Sequence, residues 1–538
     1  MKKELKTSVA ILLATATLLV GVYWGASTTE RRLGNKSQQV NAVTVTNSKL
    51  AEIWRVMERN YVDNIHNDTI TNRIYAAMLS SLDPHSLYLT SDDLKAENES
   101  LRGNFEGIGV VIRMINDTVR AAQVIADGPS EKAGMIAGDY ILSVDGITLS
   151  GVGMSSSEVV KLLRGPRKSV ADIKIKRLSE NGTRYLKIVR DVINTPTLSY
   201  SGMIDKHTGY IQLSQFGEKT HDEFCDALSV LKSKGMNRLV LDLRGNGGGL
   251  LQAAIGVCNE LLPGKELIVY TQGLHQRRKE VHSSSGGLFA EGDLIVMINE
   301  YSASASEIVA GAIQDNDRGM IVGRRSFGKG LVQQQFELSD HSALQLTVSR
   351  YYTPSGRCIQ RPYDKGNDDY YSDFLQQIVD GYTGDSILMT ITDSTPYHTT
   401  KGRIVYGGGG IYPDHIISHK SDSNIVYYNM LIDKGIITDY VFDFVSRNGQ
   451  EIKRNHSTSD SFVTKYKVSD NMLENVFNKA EKKEITRNNK SIAKYREEIR
   501  ARIKAEIGNM LYSNSTFYAV LLWTDPELKE AMNLWQKQ

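Results

Sequence analysis

The chain has 538 residues, 41% of them hydrophobic and 23% charged, so it is long enough for several globular domains and too apolar for an extended disordered protein. Its 64 basic residues nearly cancel its 62 acidic ones, leaving a net charge of +2. That balance gives no electrostatic reason to expect nucleic acid as a partner.

The N-terminus carries Lys2, Lys3 and Lys6, then an apolar run from about Val9 to Trp24, then a polar flank. Within residues 1–30 this is the pattern of an export signal or a single membrane anchor. No clean A-x-A site follows and no cysteine offers a lipid attachment point, so an uncleaved anchor is expected. The rest of the chain would then lie outside the cytoplasm, in the periplasm or cell envelope.

In residues 48–103, "LAEIWRVMERNYV" and "ITNRIYAAMLSSL" repeat apolar residues at intervals of three and four, which predicts two amphipathic helices. Residues 104–193 change texture. "FEGIGVVIRMINDTVRAAQVI", "DGPSEKAGMIAGDYILSVDG", "VADIKIKRL" and "YLKIVRDVI" hold short strands and many turn signals around the helix "SSEVVKLLRG". They describe a small, partly open β-barrel. From 194 to 418 strands and helices alternate, through "TGYIQLSQF", "HDEFCDALSVLKSKG", "RLVLDLRG", "LLQAAIGVCNELL", "DLIVMIN", "SEIVAGAIQDN" and "GMIVGR". That order implies an α/β layer on a largely parallel sheet, interrupted by an insertion at about 363–402. Residues 419–538 are helical and charge-rich, as in "EKKEITRNNKSIAKYREEIRARIKAEIG". The charges read as a solvated helix face, with a homo-oligomeric contact or a substrate platform as the alternative.

The chemistry concentrates in three stretches. "NEYSASASEIVAGAIQDND" sets Ser302, Ser304 and Ser306 just after an apolar strand. Ser304 followed by Glu307 and an apolar stripe is a capping box, so Ser304 can simply cap a helix. A serine at a strand-to-helix turn also exposes its Oγ, and the Ala305 N–H at the helix start points towards a developing oxyanion. None of the eleven histidines sits in a distinctive motif near it; His275, His282 and His341 lie in polar, loop-like stretches. The better base is Lys329 in "RRSFGKGLVQQQF", provided burial lowers its pKa to roughly 7 or 8. Gln333, four residues on, is placed to hold the amine. The third stretch, "LVLDLRGNGGGLL", ends a buried strand in glycines that leave backbone N–H groups free. Its spacing matches neither nucleotide-binding glycine pattern, because Leu250 stands where a third glycine is required. An oxyanion hole shared between Ala305 and a glycine among 247–249 fits better. Cys225, Cys258 and Cys358 are too few and too scattered for a disulfide framework or a metal site and read as buried apolar thiols.

These stretches, in this order, resemble the signature blocks of the C-terminal processing (tail-specific) serine peptidases. "LDPHSLYL" and "GGGIYPDHII" look like further blocks, and "FEGIGVVI" with "GPSEKAGMIAGDYILSVDG" is similar to the PDZ domain of that family. The resemblance covers residues 48–418. It implies an α/β and α+β multidomain fold: an N-terminal helical segment, a PDZ-type small β-barrel, a crotonase-like α/β Ser-Lys peptidase core and a helical C-terminal extension. It implies Ser304 as nucleophile and Lys329 as general base, with Gln333 orienting the lysine and Asp315 supporting the site. The oxyanion hole would combine Ala305 with Gly248 or Gly249. Gly107, Ile108, Gly109 and Val110 would capture the carboxylate of nonpolar protein C-termini. Neither metal nor cofactor is required. A PDZ-bearing adaptor on an inert peptidase scaffold, and an acyl-transfer or hydratase enzyme acting on thioesters, are the rival readings.

Overall fold

The computed structural model describes residues 40–115, 117–284, 286–380, 393–417, 422 and 424–536. The expected signal or anchor at 1–30 lies outside them, and no helix among the described residues is long and apolar enough to cross a membrane. Two helices open the fold, α1 (Val40–Asn60) and α2 (Asn67–Ser80), followed by the short strand β1 (Leu87–Leu89) and α3 (Ser91–Arg102). Thr90 caps α3 by accepting the Asp93 N–H, and Gly103 ends it in the left-handed region at φ +66°.

The next unit comprises β2 (Asn104–Gly107), β3 (Val110–Ile115), β4 (Thr118–Val124), α4 (Pro129–Lys132), β5 (Tyr140–Val144), β6 (Ile147–Thr148), α5 (Ser156–Leu163), β7 (Val170–Lys176), β8 (Arg184–Val189) and β9 (Asp191–Asn194). Its antiparallel sheet runs β3-β4-β5-β7-β8 with β6 on β5, while β2 and β9 form a separate ribbon. A full capping box, Ser155 with Glu158, starts α5. Ile108, Val119, Ile141, Val159, Ile173 and Ile188 share its core. β3 is a sheet edge, so one side of it is free to accept an added strand.

The large unit contains β10 (Leu198–Met203), β11 (Thr208–Leu213), α6 (Thr220–Ser233), β12 (Arg238–Asp242), α7 (Leu251–Leu261), β13 (Leu267–Gln272), β14 (Lys279–His282), β15 (Asp293–Ile298), α8 (Ala305–Asp315), β16 (Met320–Gly323), β17 (Leu331–Glu337), β18 (Ala343–Tyr352), α9 (Asn367–Asp380), β19 (Asp393–His398), β20 (Ile404–Gly407) and β21 (His415–Ile416). The main sheet runs β10-β11-β12-β15-β16-β21, parallel from β11 to β21. Because side chains alternate along a strand, Leu239 and Leu241 of β12 join α6, α7 and α8 in one core. Val240 points the other way and packs with Leu528 and Ala531 from the end of the chain.

Sequence periodicity did not reveal the second sheet. It is antiparallel, runs β1-β18-β13-β14 and carries β17 on β18. β1 pairs with β18 from Leu87–Gln345 to Leu89–Ala343, so the N-terminal segment is knitted into the large unit. α9 lies in the stretch expected as an insertion, and its Tyr370 and Phe374 pack with Phe327 and Ala303.

Helices α10 (Ile425–Asp433), α11 (Ile436–Asn455), α12 (Ser459–Lys465), α13 (Asp470–Glu481), α14 (Asn489–Leu511), α15 (Asn514–Leu521) and α16 (Pro526–Leu534) complete the chain. Ile499, Ile503 and Ile507 bury one face of α14, and part of its charge run is spent on ion pairs such as Arg500–Asp470 at 2.7 Å. α11 meets the small β-unit: the Arg120 guanidinium lies over Phe442 at 4.8 Å and pairs with Asp443 at 3.4 Å. α16 returns to the main sheet and covers the face opposite α6 to α8.

Candidate active site

The carboxyl ends of parallel strands are where adjacent loops diverge and leave a crevice. β12 delivers the glycine loop there and β15 delivers the serine turn. Ser304 precedes α8 with φ +56° and ψ −111°, outside the left-handed well that a serine can enter at modest cost. Such a conformation costs about 1–3 kcal/mol and persists only where its surroundings impose it.

Those surroundings centre on Glu307, fully buried at the third position of α8. Its Oε2 accepts the Ser304 N–H and the Lys329 N–H, both at 2.8 Å. Its Oε1 accepts Ser326 Oγ at 2.5 Å and the Gly328 N–H at 2.7 Å. One carboxylate therefore fixes the serine turn and the lysine turn against each other. Burial raises its pKa, and the Ser326 and backbone hydrogen bonds oppose that rise. The capping box expected at Ser304 is present, with Glu307 returning to the Ser304 N–H and the Ser304 side chain set towards the Glu307 N–H without a hydrogen bond of ordinary geometry. The Glu307 N–H goes to the Ser304 carbonyl oxygen at 2.9 Å, and the Ser304 hydroxyl makes no cap hydrogen bond. Its Oγ is thus left for other work. Tyr351 OH donates to the same Ser304 carbonyl at 3.1 Å.

The flanking serines are structural. Ser302 Oγ donates to the Leu243 carbonyl and Ser306 Oγ to the Asn246 carbonyl, each at 2.8 Å. Asn246 also takes the Ala303 N–H on its carbonyl at 3.0 Å and the Gly248 N–H on its side chain at 2.9 Å. The glycine loop and the serine turn are therefore bonded to one another. A Cβ on Gly248, whose φ is +104°, would stand 2.8 Å from Ser304 Cβ and 3.0 Å from the Ala305 nitrogen. Gly249, at φ +142°, would drive a Cβ to 2.0 Å from the Phe216 carbonyl. The Gly248 amide is engaged, whereas the Gly249 and Ala305 amides make no hydrogen bond among the described residues.

Lys329 is 2% exposed. Burial pulls its pKa down to about 8, against the opposing pull of Glu97, Asp83 and Glu307. Gln333 is fully buried, donates through Nε2 to Thr347 Oγ1 at 3.1 Å and has no partner on Oε1. That oxygen is available to an amine. Thr347 Oγ1 donates on to Asp83 Oδ1 at 3.1 Å, and Asp83 in turn accepts the amides of His85 and Ser86. Burial, helped by the Lys329 charge, holds His85 well below the usual histidine range, and its Nε2 meets Tyr370 OH at 3.0 Å. Glu97 of α3 is 2% exposed, and its carboxylate lies close to the Gln335 side chain without a hydrogen bond of ordinary geometry. Burial pushes its pKa up to about 7, with Lys329 pulling it down.

Asp315 stands elsewhere. It ends α8, ten residues and about 15 Å along the helix from Ala305. It forms an ion pair with Arg357 at 2.7 Å, both side chains fully buried, and accepts the Ser355 N–H at 3.0 Å. Among the described residues Asp315 makes no hydrogen bond or ion pair with Ser304 or Lys329; it braces the far end of the helix that Ser304 precedes. Sequence reasoning also missed Asp83, His85, Glu97 and Asn246 as neighbours of the site, and it saw Glu307 only as a cap.

In the small β-unit, the Ile108 carbonyl accepts the Ser130 N–H at 2.9 Å and the Gly109 carbonyl accepts the Ile125 N–H at 3.1 Å. The Ile108 and Gly109 amides have no partner among the described residues. They lie between Gly107, paired in the β2–β9 ribbon, and Val110, which begins edge strand β3. That is the backbone a carboxylate-binding loop requires.

Several known proteins are similar to this chain. The peptidase family S41 model matches residues 207–366 and a PDZ domain model matches 120–177; residues 427–513 match a family of unknown function. The carboxy-terminal-processing protease of Bartonella bacilliformis is 39% identical over 318 residues, covering 58% of this chain and 72% of that protein. The carboxy-terminal processing protease CtpA of Bacillus subtilis is 31% identical over 365 residues, covering 67% and 76%. A solved photosystem II D1 C-terminal processing protease is 30% identical, covering 57% of this chain and 88% of that one, with a TM-score of 0.33. The chain belongs to peptidase family S41 and is a carboxyl-terminal-processing serine protease with a PDZ domain.

Proposed function

We propose that Ser304 and Lys329 form a Ser-Lys dyad that hydrolyses peptide bonds in envelope proteins whose nonpolar C-termini bind the PDZ loop. The observation that carries the dyad is the strained Ser304 turn with an uncommitted hydroxyl, bound through Glu307 to the turn of a buried, pKa-depressed lysine. Neutral Lys329 takes the Ser304 proton as Oγ attacks the substrate carbonyl, and the Gly249 and Ala305 amides receive the oxyanion. The lysine then gives its proton to the leaving amine, and water, deprotonated by the same lysine, hydrolyses the acyl-enzyme. Gln333 Oε1 orients the amine. Beside the glycine loop, Leu94, Leu101, Leu250, Leu251 and Ala343 help to line a cavity of about 650 Å³ that accommodates apolar substrate side chains.

Binding of the substrate terminus is assigned to the unpaired amides of Ile108 and Gly109, with the peptide adding to edge strand β3. The export or anchor pattern at residues 1–30 supports an extracytoplasmic site of action, and the C-terminal helices are candidates for self-association. Cleavage of an unstructured protein with a nonpolar C-terminus tests the central reading. The full chain should cut it, S304A should not, and amidating the substrate C-terminus should slow the reaction. Equal cleavage by S304A would refute the nucleophile, and equal rates with the amidated substrate would refute terminus capture.

A further inference from the structure

Away from the reacting residues, α6 and α7 lie side by side and three donor side chains meet between them. His221 Nε2 stands 2.9 Å from Glu260 Oε1 and 3.4 Å from Cys225 Sγ. The three donor atoms all lie within 4.8 Å of one another. His221 and Cys225 are four residues apart on α6, one turn along the same face, and Glu260 comes from the last turn of α7. The imidazole packs against Gly256 of α7, where a Cβ would approach the ring to 2.9 Å. Sequence spacing had left Cys225 as a buried apolar thiol; in the fold it is partly exposed and faces a histidine and a carboxylate.

We propose that His221, Cys225 and Glu260 form a divalent-cation site of the zinc class that staples α6 to α7. Imidazole, thiolate and carboxylate are the ligand types zinc takes. One thiolate and one carboxylate neutralise the charge of Zn²⁺. Zinc–ligand bonds of about 2.0–2.3 Å in tetrahedral geometry put neighbouring donor atoms roughly 3.3–3.6 Å apart. The histidine–cysteine separation already meets that, and the histidine–glutamate contact must open by about half an ångström. All three residues are partly exposed, which leaves a fourth position for water. Asp222 and Asp226 add negative potential at the thiol.

An ordinary cysteine thiol is mostly protonated at neutral pH. Binding therefore forms a Zn–S bond, breaks S–H and releases that proton to the buffer. The staple has a mechanical consequence. α6 and α7 follow the loops that hold Phe216 and Gly249 in register, and His221 lines the same 650 Å³ cavity as Leu250 and Leu251, so metal fixes one wall of that cavity.

The test uses the full, untagged chain in detergent, stripped with chelator and carrying S304A so that its outcome does not depend on peptidase activity. Zn²⁺ is titrated calorimetrically in two buffers of different ionisation enthalpy. One equivalent and about one released proton are expected. C225S and H221A, checked for native circular dichroism, should bind at least about tenfold more weakly, and C258S should bind normally. Cd²⁺ should give an ultraviolet thiolate charge-transfer band that C225S lacks. No zinc binding, equal binding in every variant, or loss in C258S rather than C225S would overturn the proposal.

Discussion

Removing the charge of Glu97 should move the pH dependence of cleavage to lower pH. Lys329 must be neutral to act as base, and its pKa of about 8 puts roughly a tenth of the chains in that form at pH 7 and about nine-tenths at pH 9. The wild-type kcat/KM should therefore rise about tenfold between those values and then level off. A lysine at the ordinary value of 10.5 would instead give about a hundredfold rise with no plateau. Glu97 raises the Lys329 pKa by its charge, so E97Q should shift the bend downward and give faster cleavage at pH 7 relative to the plateau. The assay is kcat/KM on an unstructured protein substrate from pH 6 to 10, with circular dichroism confirming the fold throughout. A profile still climbing at pH 10, or an E97Q bend that moves upward, would refute the assignment.

The same burial bears on stability. Lowering the lysine pKa from 10.5 to about 8 corresponds to about 3 kcal/mol against the folded state below pH 8, a penalty that disappears as pH rises through 8 towards 10.5. K329M should abolish turnover while raising stability at pH 7 by up to about 3 kcal/mol, measured by denaturant melts. D315N should destabilise the peptidase unit by about 3–5 kcal/mol, because it leaves the buried Arg357 charge uncompensated. It should leave the midpoint of the pH–rate profile unchanged, and a shifted midpoint would return Asp315 to the site. Glu527 of α16 bonds Arg244 at 2.8 Å and Arg324 at 2.5 Å, joining the chain end to the strand that carries the glycine loop. E527Q should cost roughly 2–4 kcal/mol in melts of that unit. Gly109 has φ +75°, and a Cβ on it would reach 3.0 Å from Ile193; G109V should weaken binding of a nonpolar C-terminal peptide at least tenfold, measured by calorimetry.

The parts of the site legible in the sequence are those a short stretch of chain encodes. Ser304 and Ala305 belong to one turn, the glycines to one loop, and Lys329 to Gln333 to one strand entry. Glu307 was visible as the third residue after Ser304, but its bonds to Ser326, Gly328 and Lys329 depend on two turns meeting in space. Asp83 and Glu97 reach Lys329 through the second sheet, in which β1 pairs with a strand more than 250 residues later. Local periodicity carries no signal for such pairing. Asp315 shows the opposite effect: closeness in sequence becomes distance along a helix axis. The α6–α7–α8 alternation was readable because each segment repeats at its own period. The docking of α16 was not, since an amphipathic helix does not specify the surface that covers it.

Active-site labelling tests the dyad most directly. The full chain, treated with a fluorophosphonate, is digested and the adduct located by mass spectrometry. Modification of Ser304, rising with pH through about 8 and absent in K329M, is the expected result. An adduct on any other residue, or sustained peptide cleavage by a chain whose Ser304 is fully blocked, would contradict it.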